Sequence, residues 1–167
     1  MKIAVTTDHT GLDYDGAFNE LKTFLESLGH EPVDFGPKTL DTADDYPDFM
    51  FPAANAVASG ECELGIIMGG SGQGEAMAAN RIKGVRCTVF YGLAIAKTAV
   101  DAEGNKSEDP HEILKLSRQH NHANMLSLSA RFLSLDEMKQ AVKTWLETPY
   151  SGEERHARRV KKLDGQS

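Results

Sequence analysis

The chain has 167 residues, a hydrophobic content of 40% and a formal net charge of −7 at pH 7. This length suits one domain, and the composition is typical of a globular protein and argues against disorder. The net negative charge disfavours nucleic acid as a main partner, and the apolar runs are too short to span a membrane. Because Met1 leads directly into a strand pattern without a signal-type apolar segment, we expect a cytoplasmic protein.

Strand and helix patterns alternate along the chain. Apolar runs predict strands at residues 3–7, 32–35, 64–68, 85–90 and 125–128. Helical periodicity and capping signals predict helices at residues 16–28, 47–59, 76–80, from about 92, at 111–118, at 136–146 after Ser134, and in a basic tail at about 151–163. This alternation predicts an α/β fold, a single-domain, Rossmann-like three-layer sandwich with a five-stranded parallel sheet, over residues 1–167.

The run Gly69–Glu75 (GGSGQGE) is the most informative motif, because it joins the third predicted strand to a helix. Its four glycines permit positive φ and a close approach of backbone N–H groups to a ligand, and the helix N-terminus adds partial positive charge. Ser71 supplies a hydroxyl and Glu75 a carboxylate. The run indicates a base beside an oxyanion site, or alternatively a tight turn with Glu75 as an N-terminal helix charge.

Polar residues follow two other predicted strands at the same edge of the sheet. Asp8 and His9 follow the first strand, and Arg131 follows the fifth. Since ligands of parallel sheets bind beyond the carboxyl ends of the strands, we expect these residues to converge on the glycine loop. Histidine titrates near neutral pH, aspartate can orient or deprotonate a hydroxyl, and arginine binds phosphate in a bidentate manner. The alternative for Asp8 and His9 is that they cap a turn.

Two further groups also have structural alternatives. His120 and Asn121 end a predicted helix just before the fifth strand, where a histidine can instead interact with the helix dipole. Arg155 and Arg159 lie one turn apart on one face of the tail helix. They suit either a phosphate site or a solvated basic face.

Neither a cofactor nor a metal is expected. The glycine run lacks the lysine and Ser/Thr of a P-loop and does not follow the GxGxxG order. Histidines and acids are not grouped at metal-ligand spacing, and Cys62 and Cys87 form no CxxC motif. Proton transfer without a metal is the simplest remaining chemistry, and a regulatory nucleotide-binding module is an alternative.

Six motifs in order along the chain carry a family resemblance. They are DHTG at 8–11, DDYP at 44–47, GGSGQGE at 69–75 followed by AAN, RQHN at 118–121, the arginine at 131, and ERHARRV at 154–160. With these motifs the chain resembles, nearly end to end, the ribose-5-phosphate isomerase B family, which includes the galactose-6-phosphate isomerase subunits. The resemblance implies interconversion of an aldose phosphate and a ketose phosphate through a cis-enediolate, without a cofactor.

The resemblance also implies roles for individual residues. Glu75 would transfer the proton between C1 and C2, because the position that carries a cysteine base in another branch of the family is Gly69 here. His120, assisted by Asp8, would open the sugar ring, and Ser71 with the loop amides would stabilise the enediolate. The implied substrate-binding residues are His9, Tyr46, Gly70, Gly72, Gly74, Asn121, Arg131, Arg155 and Arg159.

The family resemblance further implies a homodimer, or a dimer of dimers, in which the tail helix at about 151–163 contributes arginines to the partner's site. The polar segment 101–110 (DAEGNKSEDP) is longer than expected for the family, and we expect it next to the sugar-binding edge. Because Phe90 and Tyr91 before it are also bulky, tetrose, pentose and hexose phosphates are all candidate substrates. The alternative is a non-catalytic sugar-phosphate-binding subunit that depends on a paralogous partner.

Overall fold

Five parallel strands form the centre of the computed structural model, which describes residues 1–165. They are β1 (Lys2–Thr7), β2 (Glu31–Asp34), β3 (Leu64–Gly69), β4 (Cys87–Phe90) and β5 (Met125–Ser129). Their order in the sheet is β2-β1-β3-β5-β4, and every neighbouring pair is parallel. The carboxyl ends of all five strands therefore lie at one edge, which we call the carboxyl edge, and their starts lie at the opposite amino edge.

Helices cover both faces of this sheet. They are α1 (His9–Asp13), α2 (Ala17–Ser27), α3 (Pro47–Ser59), α4 (Gln73–Ala79), α5 (Glu112–Gln119), α6 (Leu135–Glu147) and α7 (Glu154–Leu163). One core packs α2, α5 and α6 on one face, with Trp145 fully buried, and a second core packs α3 and α4 on the other face around Met50 and Ile67. The predicted three-layer α/β sandwich is confirmed over the described residues, and residues 166–167 of the predicted domain lie outside them.

One predicted helix is absent: residues 91–98 after β4 form irregular structure. In this segment Leu93 is 51% exposed and Ile95 is 45% exposed. A short helix is stable in water only when its apolar face packs against a core. In the described chain, Leu93 and Ile95 remain about half exposed and so provide no such packing. The prediction of a helix near residue 92 was therefore wrong.

A short helix that the sequence did not predict, α1, begins directly after β1. Gly11 lowers its helix propensity, but the position leaves no room for a side chain, since a Cβ there would lie 2.0 Å from Thr7 Oγ1. Ser134, in contrast, caps α6 as predicted, and forms a reciprocal capping box with Glu137. Among the residues that the structure describes, no helix has the length and apolar character needed to cross a membrane.

Candidate active site

Asp8 lies at the carboxyl end of β1, where it caps α1. Its side chain is 5% exposed, and its Oδ1 accepts a hydrogen bond from the Thr10 N–H at 3.0 Å. The structural alternative from the sequence, a capping role, is thus correct for Asp8. Capping occupies Oδ1 and still leaves the carboxylate close enough to Glu75 to influence its ionisation.

His9 is held by Asp44, which follows β2 in a long loop. Two nitrogen atoms of His9 face this carboxylate: the backbone N–H lies 2.9 Å from Asp44 Oδ2, and Nδ1 lies 2.5 Å from Asp44 Oδ1. The hydrogen bond to Asp44 raises the pKa of His9, and the nearby Asp8 carboxylate acts in the same direction, whereas burial and Arg131 oppose it. Sequence analysis did not assign a role to Asp44, because no periodic pattern links residues 35 positions apart.

The glycine loop is fixed to β5 through its carbonyl groups. Ser127 Oγ donates to the Gly72 carbonyl at 2.7 Å, and Ser129 Oγ donates to the Gly70 carbonyl at 3.0 Å. The Arg131 N–H also donates to the Gly70 carbonyl, at 3.0 Å. Gly72 has a φ of 74°, a left-handed conformation that glycine adopts without strain. The loop is therefore held in one shape between the end of β3 and the start of α4.

Glu75 projects from the first turn of α4 back against the end of β3. The residue is 5% exposed, and a Cβ at Gly69 would lie 2.0 Å from its Oε1, so only glycine leaves room for this carboxylate. Its Oε2 is buried and has no hydrogen-bond partner within residues 1–165. Burial raises the pKa of Glu75, and Asp8 adds to this effect while Arg131 opposes it. A desolvated carboxylate with an unpaired oxygen has the properties of a general base.

Arg131 and Tyr46 border the same loop. A Cβ at Gly70 would lie 3.2 Å from the Arg131 guanidinium carbon, and one at Gly74 would lie 2.9 Å from the Tyr46 ring. Ser71 is exposed, and its Oγ accepts a hydrogen bond from the Gln73 N–H at 3.3 Å. The structure thus brings most of the predicted residues together at the carboxyl edge. We call this group the carboxyl-edge site, and its members are Asp8, His9, Asp44, Tyr46, Gly69–Glu75 and Arg131.

His120 and Arg155 lie elsewhere in the chain. His120 is the C-cap of α5, as its structural alternative anticipated, and α5 ends beside the start of β5, since the Ala123 N–H donates to the Ser117 carbonyl at 3.0 Å. Glu75 follows the opposite end of the neighbouring strand. The five residues of β5 span about 16 Å, so His120 and Glu75 cannot act on one small molecule within a single chain.

His120 belongs to a second group, which we call the amino-edge cluster and which consists of His120, Glu153, Arg155 and His156. The rings of His120 and His156 stack with centroids 4.1 Å apart. Burial lowers the pKa of His156, and the adjacent His120 and Arg155 act in the same direction. Sequence analysis missed His156, although it lies inside the ERHARRV motif that carries part of the resemblance.

Arg155 is tied to two carboxylates in this cluster. Its Nε lies 2.9 Å from Glu153 Oε2, and its Nη2 lies 3.5 Å from Glu103 Oε2. Arg159 is exposed on the next turn of α7, and Asn121 is exposed beside a groove that Arg86 and Asp164 also line. The four predicted residues His120, Asn121, Arg155 and Arg159 are thus separate from the carboxyl-edge site within one chain.

Glu103 belongs to the segment 101–110, which the sequence analysis expected next to the sugar-binding edge. In the described chain its first residues instead reach the amino-edge cluster, where Asp101 and Glu103 line one cavity with Gln119 and His120. That part of the prediction was wrong for a single chain, because Asp101 and Glu103 lie beside His120 at the end of α5 and not at the carboxyl edge.

Two other groups bear on the chemistry. Ligand atoms of Asp8, His9 and Asp44 lie within 4.8 Å of one another, the spacing of a metal site. The His9–Asp44 hydrogen bond already uses two of these atoms, however, and Arg131 places a positive charge beside them. Burial raises the pKa of both Cys62 and Cys87, so neither thiol is activated as a nucleophile.

Comparison with known proteins identifies the family. The model of the Ribose/Galactose Isomerase family matches residues 3–106 and 109–163, so that only residues 107–108 of the segment 101–110 lie outside the match. The chain is 32% identical to ribose-5-phosphate isomerase B of Mycobacterium tuberculosis over 160 residues, which cover 96% of this chain and 86% of that protein.

Solved structures agree with this result. The structure of Clostridium thermocellum ribose-5-phosphate isomerase B has a TM-score of 0.82 and 36% identity, covering 99% of this chain and 96% of the other. The Mycoplasma genitalium ribose-5-phosphate isomerase B with bound ribulose-5-phosphate has a TM-score of 0.81 and 33% identity, covering 98% and 94%. The sequence motifs, the buried glutamate at the glycine loop and the fold lead to one conclusion: the chain belongs to the ribose/galactose isomerase family.

Proposed function

We propose that this sugar-phosphate aldose–ketose isomerase acts on ribose 5-phosphate and ribulose 5-phosphate, or on a closely related tetrose or hexose phosphate, with Glu75 as the base. The observation that carries the proposal is the buried Glu75 carboxylate, whose Oε2 has no partner in the described chain. Its raised pKa makes it a stronger base than an exposed glutamate. Homologues named ribose-5-phosphate isomerase B, one of them with bound ribulose-5-phosphate, support the substrate class.

In the proposed reaction, Glu75 removes the proton from C2 of the open-chain aldose and returns it to C1 of the enediolate. Ser71 and the amides of Gly70, Gly72 and Gly74 stabilise the enediolate oxygen, where one lost donor typically costs about 100-fold or more in rate. Tyr46 contacts a sugar hydroxyl. His9 and Arg131 bind the phosphate group: the hydrogen bond to Asp44 raises the pKa of His9 and so favours its protonated form, and Arg131 carries a positive charge close by. No cofactor or metal takes part in these steps.

The remaining residues act from a second copy of the chain. We infer a homodimer, or a dimer of dimers, in which the amino-edge cluster of one protomer completes the carboxyl-edge site of its partner. The opposite positions of His120 and Glu75 on the sheet support this inference. His120, with Asp8 of the other protomer, then opens the sugar ring, Asn121 contacts a hydroxyl, and Arg155 and Arg159 of α7 bind the phosphate. We expect the assembly to be cytoplasmic, without nucleic acid or membrane partners.

The test of Glu75 is proton exchange by NMR in deuterated buffer, with tetrose, pentose and hexose phosphates and no added metal. Wild-type protein should incorporate deuterium at C1 or C2 and convert the substrate. Glu75→Gln should abolish both while it still binds the sugar phosphate, and the exposed control Glu61→Gln should behave as wild type. Turnover by Glu75→Gln near the wild-type rate would remove Glu75 as the base, and binding without turnover by the wild type would favour a partner-dependent subunit.

Shared sites have their own test, subunit complementation. Glu75→Gln and Arg159→Ala chains should each be nearly inactive alone. Mixed and refolded together, they should regain activity, because one site in each hybrid dimer then has an intact Glu75 from one protomer and an intact Arg159 from the other. Sedimentation should show a dimer or tetramer. A monomer, or hybrid dimers without regained activity, would exclude the arrangement.

A further inference from the structure

The loop between Ala94 and Pro110 is a closed excursion from the carboxyl edge. Its two ends meet, since the Ala94 N–H donates to the Pro110 carbonyl at 3.2 Å. Between them the chain extends to the end of α5, where Glu103 lines a cavity with His120 and Arg155. Residues from the excursion thus reach groups to which the proposed function assigns ring opening and phosphate binding.

Asp101 fixes the conformation of the part of the loop that carries Glu103. Its Oδ1 accepts hydrogen bonds from the Glu103 N–H at 3.1 Å and the Asn105 N–H at 2.9 Å, and its Oδ2 accepts from Asn105 Nδ2 at 2.5 Å. The Val100 N–H donates to the Asn105 carbonyl at 2.8 Å, which closes the turn. The Glu103 side chain is therefore presented from a hydrogen-bonded turn.

Glu103 reaches a guanidinium that is already paired on its other side. Arg155 Nη2 lies 3.5 Å from Glu103 Oε2, while Arg155 Nε lies 2.9 Å from Glu153 Oε2. The Arg155 side chain is 28% exposed and that of Glu103 is 63% exposed, so Glu103 is the partner that can move away into solvent. A carboxylate and a phosphate offer the same kind of oxygen acceptors to a guanidinium, so an arriving phosphate competes with these carboxylates for the N–H donors of Arg155.

We propose that Glu103 tunes substrate affinity, because it competes with the phosphate group of the substrate for Arg155 and so weakens the binding of phosphorylated sugars. This inference rests on the proposed function, because it takes Arg155 as a phosphate ligand. Glu103 raises the concentration of substrate needed to fill the site and leaves the proton transfer unchanged, since it contacts Arg155, to which the proposed function assigns phosphate binding and no proton transfer.

The test compares Glu103→Gln with Glu108→Gln in the intact protein. Glu108 is an exposed glutamate of the same loop, so its substitution makes the same change in net charge. Glu103→Gln should lower both the KM for the sugar phosphate and the inhibition constant of inorganic phosphate about two- to fivefold, as expected for a partly exposed ion pair, with kcat unchanged. Glu108→Gln should change neither constant. An unchanged or raised KM for Glu103→Gln, or an equal fall for both variants, would overturn the proposal.

A double-mutant cycle assigns the effect to Arg155. Arg155→Ala should raise both constants, and adding Glu103→Gln in that background should have no further effect, because the competed group is gone. If Glu103→Gln lowers KM equally with and without Arg155, competition for this guanidinium is refuted. The activity assay and calorimetry with inorganic phosphate test the two hypotheses separately. A wild-type protein that isomerises no sugar phosphate refutes the proposed function. Tighter phosphate binding by Glu103→Gln in calorimetry would still support the role of Glu103.

Discussion

Gly69→Ala should disable the enzyme by displacing Glu75, the proposed base. The new methyl carbon would lie 2.0 Å from Glu75 Oε1 and 2.1 Å from Cδ, whereas ordinary contacts begin at about 3.4 Å. The carboxylate must therefore move by about 1.4 Å. Since a misplacement of about 1 Å can cost about 100-fold in rate, we expect kcat to fall about 100-fold or more.

The matched control is Gly92→Ala. Gly92 lies just beyond the end of β4, where a Cβ would have no heavy atom within 4 Å and the backbone has no positive φ. The control should retain wild-type kcat and stability. Gly69→Ala should lose about 1–3 kcal/mol of unfolding free energy from overpacking, which leaves a folded protein for kinetic measurement.

Initial rates of aldose–ketose conversion measure kcat, and calorimetry with inorganic phosphate measures phosphate binding, for which His9 and Arg131 are the proposed ligands from the same chain as Gly69. Gly69→Ala should keep its phosphate affinity, because the substitution touches neither of these side chains. A folded Gly69→Ala protein with kcat within threefold of wild type would refute the reasoning, since it would mean that the position of the Glu75 carboxylate does not control the rate. A loss of phosphate binding equal to the loss of kcat would refute the assignment of the defect to the base.

Three other predictions concern charge and stability. Burial raises the pKa of Glu75 above 4.5, so the ionised carboxylate lowers the free energy of unfolding as pH rises past that value. In urea unfolding, Glu75→Gln should be more stable than wild type at pH 8, and the difference in stability should be smaller at pH 4. A larger difference at pH 4 than at pH 8 would contradict the burial effect. Asp44→Asn should lower the pKa of His9 towards 6.5, so that, as pH rises, phosphate affinity falls at a lower pH than in wild type. If NMR shows the same titration of His9 in both proteins, this coupling between Asp44 and His9 is disproved. Ser134→Ala should remove a helix cap and about 1 kcal/mol of unfolding free energy without changing kcat/KM, and a change in kcat/KM would mean that α6 influences the site.

Local sequence signals predicted much of the fold and most of the residues that meet at the carboxyl edge. The helix at 47–59 was predicted with its observed bounds from Pro47 near its start, and the structure shows that Gly60 ends it with a φ of 80°. Parallel strands put the residues that follow them at one edge, so the meeting of Asp8, Arg131 and the glycine loop followed from the strand assignments. The helix expected near residue 92 failed because a local pattern does not reveal whether a core is available for packing.

By itself, the sequence determined the family and the parallel α/β class and singled out Glu75 as the candidate base, because local residue patterns and ordered motifs carry these inferences. Only the tertiary structure decided that Asp44 holds His9, that Glu103 reaches Arg155 and that His120 lies at the opposite edge from Glu75. These facts depend on the path of two long loops and on the direction in which α5 returns across the sheet. Contacts between distant residues are set by packing of the whole chain, and no periodicity records them.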